Sequence, residues 1–169
     1  MAEGSLRADM NVLPDRVVAR QLGLCDMDAA ARIHRAAFDD RLPWLTGLHT
    51  PDEDRAFFRA HVFAACDVWG ALDGHDLIGF IAYRDAWVDQ LYVLPNRQAH
   101  GVGSRLLSIA KDAFPALSLW TFQSNAGARR FYEYHGFTAA ELTDGARNEE
   151  REPDVRYVWT SAPISTPRR

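Results

Sequence analysis

The segment between residues 91 and 104 constrains the fold of this chain more than any other. It runs from an apolar, β-rich stretch through Pro95 to Gly101 and Gly103, where a helical pattern of apolar residues begins. A strand, a short loop and a helix in this order form the first half of a crossover to a parallel strand, which the run 117–122 supplies. The free N–H groups of the first helical turn favour an anion, such as a phosphate, as ligand of this loop.

The rest of the chain alternates between β-rich runs and helical patterns. Strands are predicted at about 17–20, 67–72, 77–83, 87–94, 117–122, 137–142 and 155–160, and helices begin after Asp26, Thr50, Gly101 and Asn125. Most strands are joined by hairpins, whereas the crossover requires one parallel pair. The sequence therefore predicts an α/β fold with a mixed, mostly antiparallel central sheet of about six to seven strands and helices on both faces.

Length, charge and cysteine content limit the possible classes of protein. The 169 residues suffice for one domain with its own core, and a net charge of −4 gives no basic surface for nucleic acid. Cys25 and Cys66 show no metal-ligand spacing, and no run is long enough to span a bilayer. We expect a cytoplasmic domain at 15–161 with flexible tails at 1–14 and 162–169, without a metal ion or a membrane partner.

The two glycines alone do not identify the ligand. The dinucleotide motif G-x-G-x-x-G would need glycine where Leu106 stands, and the Gly-Lys-Ser/Thr sequence of a Walker loop is absent. A nucleotide-binding protein is therefore a weak alternative. A turn that needs glycine for its shape alone stays open.

Two linked motifs resemble those of the GCN5-related N-acetyltransferase (GNAT) family. They are Leu91-Tyr-Val93-Leu-Pro95 with Gln98-x-x-Gly101-x-Gly103, and Asn125-x-x-Ala128-x-x-Phe131-Tyr132-x-x-x-Gly136-Phe137. The resemblance covers roughly residues 76–140. It implies the acyl-CoA N-acyltransferase fold, with acetyl-CoA as the co-substrate and homodimerisation as an option for which no segment specifies an interface.

The resemblance implies a role for each matching position. Backbone N–H groups of the glycine loop would hold the pyrophosphate of CoA, and the backbone of β-strand residue Val93 would pair with pantetheine. The implied cofactor-binding residues are Leu91, Val93, Gln98, Ala99, His100, Gly101, Val102, Gly103, Ser104, Asn125 and Arg129. His100 departs from the family, which typically has Arg-Gly or Lys-Gly here, and binding through backbone N–H groups should tolerate this. Tyr132 would protonate the leaving thiolate.

An amine must lose a proton before it attacks a thioester, and Asp89 is the candidate base. Strict alternation along the strand would place Asp89 on the same face as Leu91 and Val93, with Gln90 on the other face. A Glu occupies a similar position in polyamine acetyltransferases of the family. A solvated or salt-bridged Asp89 is the alternative, as is a base that acts through water.

The acceptor side falls in segments that vary within the family. The candidate substrate-binding residues are Trp44, His49, Glu149 and Glu150. Lone histidines such as His34 are assigned structural or surface roles. An apolar loop and an acidic loop favour a small amine over a protein N-terminus or lysine.

We therefore expect an N-acetyltransferase that transfers acetyl directly from acetyl-CoA to a primary amine. A CoA-binding sensor without turnover and a protein N-terminal or lysine acetyltransferase are the alternatives. The sequence leaves open the acceptor, the base and the length of the acyl chain.

Overall fold

A seven-stranded sheet forms the centre of the protein, in a computed structural model that describes residues 16–161. The strands are β1 (Val17–Gln21), β2 (Asp67–Asp73), β3 (Asp76–Arg84), β4 (Trp87–Val93), β5 (Ala116–Phe122), β6 (Thr138–Leu142) and β7 (Asp154–Thr160). Their order is β1-β2-β3-β4-β5-β7-β6, and only β4 and β5 run parallel. This confirms the mixed, mostly antiparallel sheet. The expected tails at 1–14 and 162–169 lie outside the described residues, and the domain limits stay a prediction.

Within residues 16–161, five α-helices connect the strands where four were predicted, because the helix predicted after Thr50 is interrupted. They are α1 (Met27–Arg41), α2 (Pro51–Phe57), α3 (Phe63–Ala65), α4 (Val102–Ala113) and α5 (Ala126–Tyr134), and a π-helical turn at Phe58–Val62 joins α2 to α3. The start of α2 shows how the sequence sets a boundary. The Thr50 hydroxyl accepts from the backbone N–H of Glu53, whose carboxylate accepts from the N–H of Thr50. This capping box satisfies two helix-end N–H groups, with Pro51 at the first helical position.

The core has two parts, one on each face of the sheet. Strand β3 divides them by alternation, because Phe80 and Ala82 pack with α1, whereas Ile81 and Tyr83 pack with α4 and α5. All four side chains are buried. Helices thus cover both faces, as predicted.

The sheet opens between β4 and β5. Only Trp87 and Ser118 form a paired position there, near the start of β4. The rest of β4 pairs only with β3, and this pairing extends to Val93 opposite Gly79 at the end of β4. Backbone groups on the open side of β4 therefore have room for another extended chain.

Within residues 16–161, no helix is long and apolar enough to cross a membrane. Nor does this part of the chain bring together three or more His, Cys, Asp or Glu side chains in a way that could hold a metal ion.

Candidate active site

A cavity of about 970 Å³ lies between β4 and β5. Residues 88–93 of β4 line one side of it, and the loop before α4 lines one end. Parts of β5, α5 and α1 complete the wall. Its volume is that of sites which enclose a cofactor or a drug-sized ligand.

The glycine loop needs an unusual backbone to reach this cavity. Gly101 has a φ of +79° just before α4, and Ala99 has a φ of +61°. At Gly103, an added Cβ atom would lie 3.4 Å from the ring of Phe131, which is an ordinary van der Waals distance, so α4 and α5 are in contact here. Of the predicted loop residues, those that line the cavity are Gln98, Ala99, Gly101, Gly103 and Ser104.

Two predicted loop residues do not line the cavity. Val102 is 2% exposed and belongs to the core between α4 and the sheet. His100 is exposed, and its Nδ1 lies 2.6 Å from the carbonyl oxygen of Gln98. For Val102, only the backbone groups are left as possible contacts for a ligand. Ser104 is buried, with its hydroxyl oxygen 2.9 Å from Nε2 of His135.

The carboxamide of Gln98 braces the loop. It donates to the carbonyl oxygen of Val93 over 3.0 Å and accepts from the guanidinium of Arg41 over 2.7 Å. Arg41 is the last residue of α1, and its guanidinium lies 3.7 Å from the place of a Cβ atom at Gly127 in α5. Arg41 therefore sets a positive charge in the cavity wall between the glycine loop and α5, a role that the sequence analysis missed.

Two tyrosines line the cavity, Tyr132, which is buried, and Tyr92, which is partly buried. Tyr132 on α5 packs its ring against Phe137 at a centroid distance of 5.6 Å. Burial raises the pKa of the Tyr132 hydroxyl, and the nearby Tyr92 of β4 adds to the rise. Burial, together with the carboxylate of Glu150, raises the pKa of Tyr92 to about 12. Both hydroxyls thus keep their protons at neutral pH and can serve as hydrogen-bond donors.

Of the two cofactor-binding residues predicted at α5, Asn125 lines the cavity and Arg129 does not. Asn125 lines the cavity, but its side-chain oxygen accepts from the N–H of Ala128 over 3.1 Å and so caps the helix. Arg129 does not line the cavity, because its guanidinium donates to the hydroxyl of Tyr157 over 3.2 Å. Its neighbour Arg130 lines the cavity instead. The side chain of Arg129 is thus better placed to brace β7 than to bind a cofactor.

A β-bulge overturns the argument from strict alternation for Asp89. Gln90 pairs with Ala82 and Val88 pairs with Tyr83, so Asp89 is the extra residue on β4. Its carboxylate accepts from Arg84 over 2.7 Å.

The thiol of Cys66 contacts the same carboxylate oxygen of Asp89 at 3.3 Å. Cys66 packs with the core on the α1 face, whereas Leu91 and Val93 pack on the opposite face. Asp89 nevertheless lines the cavity. Burial, with the Asp89 hydrogen bond, raises the pKa of the Cys66 thiol to about 12, so Cys66 is a thiol rather than a thiolate at neutral pH.

The predicted acceptor segments meet each other. The indole N–H of Trp44 donates to Glu152 over 2.7 Å, and Nε2 of His49 lies 3.3 Å from the carboxylate of Glu149. These contacts join the α1–α2 connection to the loop between β6 and β7. Of the four predicted acceptor residues, only Glu150 lines the cavity.

The sequence did not predict His34 and Gln90 as site residues. His34 and Gln90 both line the cavity, and His34 Nδ1 and Gln90 Oε1 are buried without a hydrogen-bond partner among residues 16–161. Burial lowers the pKa of His34 to about 4, so its imidazole is neutral at pH 7. His34 follows Ala30 and precedes Ala37 on the buried side of α1, and this spacing was a signal that it points inward.

Solved structures of acetyltransferases share this fold. Apo YjaB of Escherichia coli has a TM-score of 0.72 and 20% identity, with coverage of 86% of this chain and 99% of that one. The PaiA N-acetyltransferase of Thermoplasma acidophilum, solved with coenzyme A, has a TM-score of 0.63, 19% identity and coverage of 85% and 98%. YncA of Salmonella typhimurium, solved with acetyl-CoA, has a TM-score of 0.63, 18% identity and coverage of 91% and 99%. The protein therefore has the fold of the GNAT acyltransferases.

The sequence gives the family directly. The model of the acetyltransferase (GNAT) family matches residues 31–137, more than half of the chain, and the chain belongs to this family. A curated relative, a probable N-acetyltransferase of Mycobacterium tuberculosis, is 39% identical over 79 residues. The match covers 41% of this chain and 45% of the relative, so the chain spans less than half of that protein's length.

Proposed function

We propose that this protein is an acetyl-CoA-dependent N-acetyltransferase whose acceptor is a primary amine of a small molecule. One observation carries the proposal. A single cavity connects the glycine loop, the open side of β4 and the buried hydroxyl of Tyr132. A phosphate site, a place for an extended arm and a proton donor therefore share one cavity.

The donor half of the site fits acetyl-CoA. Backbone N–H groups between Gln98 and Ser104, at the N-terminus of α4, suit a pyrophosphate, and Arg41 adds a full positive charge beside them. The open side of β4 suits pantetheine, which would share the carbonyl oxygen of Val93 with Gln98. The structures of PaiA with coenzyme A and of YncA with acetyl-CoA support the same ligand.

The chemistry follows from these positions. A neutral amine attacks the thioester carbonyl carbon, and the C–N bond forms while the negative charge moves to oxygen. A backbone N–H near Val93 would stabilise this oxyanion. The C–S bond then breaks, Tyr132 donates its proton to the thiolate, and the amine nitrogen releases its own proton to a base. The products are CoA and an N-acetyl amide.

Two carboxylates are candidates for the base. Asp89 reaches the cavity, but one of its oxygens already accepts from Arg84 and Cys66. Glu150 lines the same cavity near Tyr92. We propose that one of these two carboxylates accepts the proton of the amine, either directly or through a water molecule.

The contacts between the two acceptor loops support a small acceptor. The Trp44–Glu152 and His49–Glu149 contacts tie the α1–α2 connection to the loop before β7. A peptide would need an open groove on this side, whereas a small amine needs only the cavity. A protein acetyltransferase is the competing outcome in the test below.

Calorimetric titration with acetyl-CoA, followed by thiol release on the same sample with pooled amines and peptides, tests the proposal. We expect 1:1 binding of acetyl-CoA and release of CoA thiol with at least one pool of small amines. Binding without release in any pool would support a CoA-binding sensor instead. Release with peptides alone would support a protein acetyltransferase, and the absence of binding would refute both halves of the proposal.

A further inference from the structure

The carboxylates around the cavity differ in whether they form hydrogen bonds or ion pairs with other side chains. Those with partners are Asp89 with Arg84 and Cys66, Glu149 with His49, Glu152 with Trp44, and Asp154 with Thr143 and Asn148. In the part of the chain that the structure describes, none of these bonds or ion pairs involves Glu150, although it lines the cavity. Glu150 is thus the cavity carboxylate that offers a cationic ligand two oxygens without a hydrogen-bond partner among the described residues, while Asp89 pairs with a cation and Asp154 accepts from neutral groups only.

This carboxylate lines the same cavity as Tyr92 and Tyr132. Burial is the main cause of the raised pKa of both tyrosine hydroxyls, with Glu150 adding to the rise at Tyr92 and Tyr92 adding to the rise at Tyr132. An ammonium group held by Glu150 would therefore enter the cavity that also contains the residue that we place beside the leaving thiolate.

Much of the cavity wall is apolar and aromatic. This part of the wall is formed by Ala37, Phe38, Leu42 and Phe122, besides the ring of Tyr92. The rings of Phe38 and Phe122 meet edge to face at a centroid distance of 6.4 Å. Such a wall stabilises an aromatic or other apolar body and penalises a second charged group, which would lose its hydration without gaining a partner.

The two unpartnered polar atoms give the pocket a polar end. The His34 ring meets Tyr92 edge to face at 4.8 Å, and Gln90 lies two residues before Tyr92 on β4. Because buried polar atoms without partners are costly, His34 Nδ1 and Gln90 Oε1 are suited to a ligand that brings a polar group of its own.

Resting on the function proposed above, we infer that the acceptor is a primary amine with one positive charge on an aromatic or comparably apolar body. Glu150 binds its ammonium group, whose proton passes to Glu150 or Asp89, directly or through water, before the neutral amine attacks the thioester. The Phe38 and Phe122 walls hold its body, and His34 with Gln90 bonds a polar substituent or a bound water. We expect polyamines to be poorer acceptors, because the apolar walls would strip hydration from a second ammonium group and both oxygens of Asp154 already accept from Thr143 and Asn148.

A matched amine panel tests this inference with the full chain and acetyl-CoA. The panel contains 2-phenylethylamine, tyramine, hexylamine, spermidine and an alanine-initiated peptide, and thiol release gives kcat/KM for each. We expect an aromatic monoamine to exceed spermidine and the peptide at least about tenfold, the effect of one charge-assisted contact. Equal or higher values for spermidine or the peptide would overturn the inference.

Calorimetry in the same series separates the two levels of the argument. If acetyl-CoA binds but no aromatic monoamine releases thiol, the acceptor assignment is wrong while the donor site stands. If acetyl-CoA does not bind, the proposed function itself fails, and the inference fails with it.

Substitution of the free carboxylate gives a second, independent readout. Glu150→Gln should raise KM for the aromatic amine about tenfold or more and leave the affinity for acetyl-CoA unchanged. Glu141→Gln is the matched control, since Glu141 is exposed on β6 and paired with Arg156 away from the cavity. Equal amine KM values in the two variants would show that Glu150 does not bind the acceptor.

Discussion

The two halves of the cavity are built in different ways. The donor half comes mainly from one continuous stretch, from β4 through α5, and its key groups are backbone N–H groups, glycines and one buried tyrosine. The acceptor half comes from α1, β4 and the loop before β7, and its key groups are side chains. A site made from backbone leaves a local motif in the sequence, whereas a site made from distant side chains exists only once the chain has folded.

The halves also differ in how firmly their parts are held. Glycine-loop residues continue into α4, whose Leu106, Leu107 and Ala110 are fully buried. The acceptor loops are joined by contacts such as Trp44 with Glu152, in which Trp44 is 59% exposed. Exposed hydrogen bonds of this kind contribute little net free energy, so the acceptor half should open more readily than the donor half.

The largest expected effect is on the donor half alone. Gly101→Glu places a side chain on a backbone with a φ of +79° and a negative charge beside the proposed pyrophosphate site. Like-charge contacts cost several kcal/mol, so we expect acetyl-CoA affinity to fall about 1,000-fold by calorimetry. Gly74→Glu is the control, because Gly74 also has positive φ, in the β2–β3 hairpin, with no atom within 4 Å of an added Cβ. Similar losses in both variants would indicate general unfolding.

Removal of the Tyr132 hydroxyl separates chemistry from binding within the donor half. Tyr132→Phe keeps the ring that packs against Phe137 and removes the proposed proton donor. We expect kcat to fall about 100-fold, the lower range for general acid catalysis, with acetyl-CoA affinity changed less than about twofold. Parallel losses of kcat and affinity, together with a lower melting temperature, would make Tyr132 a packing residue.

Sequence patterns predicted the fold well because they report local physics. The order of helices and strands, the capping box at Thr50 and the hairpin between Asp73 and Asp76 all follow from neighbouring residues. The bulge at Asp89 does not, because it depends on how β4 pairs with β3.

The same limit explains which site residues were missed. Arg129 and Arg130 are adjacent on α5 and point about 100° apart around the helix, and only the folded structure shows that Arg130 lines the cavity. Trp44 and Glu152 lie 108 residues apart in the sequence, and their hydrogen bond follows only from the completed sheet. The sequence therefore predicted which segments form the acceptor half, but not which of their side chains contact each other.

Acid should lower the free energy of unfolding through protonation of His34, which lines the acceptor half of the cavity. Burial is the main cause that lowers its pKa from 6.5 to about 4, with Asp54 opposing and Arg35 assisting. The unfolded chain therefore binds a proton on this residue between pH 6.5 and 4 while the folded protein does not. This contribution to stability is complete above pH 6.5 and declines toward pH 4, by on the order of 3 kcal/mol.

Chemical denaturation from pH 7 to pH 4 measures this slope. His34→Phe should remove most of it, because phenylalanine keeps an aromatic ring against Tyr92 without a titrating group. His75→Asn is the control at an exposed histidine in the β2–β3 turn and should keep the wild-type slope. An unchanged slope in His34→Phe would place the acid sensitivity elsewhere.

Arg41 gives the smallest and most informative effect, because it belongs to α1 and yet contacts the donor half. Its guanidinium bonds Gln98 over 2.7 Å and lies beside Gly127. Arg41→Gln should weaken the affinity for acetyl-CoA about tenfold, as expected for loss of one charge-assisted contact, with Arg32→Gln on the exposed side of α1 as control.

If only the amine KM changes, Arg41 serves the acceptor half and the two halves are separate. If acetyl-CoA affinity changes, one helix contributes to both, and binding of the donor would help to position α1 for the acceptor.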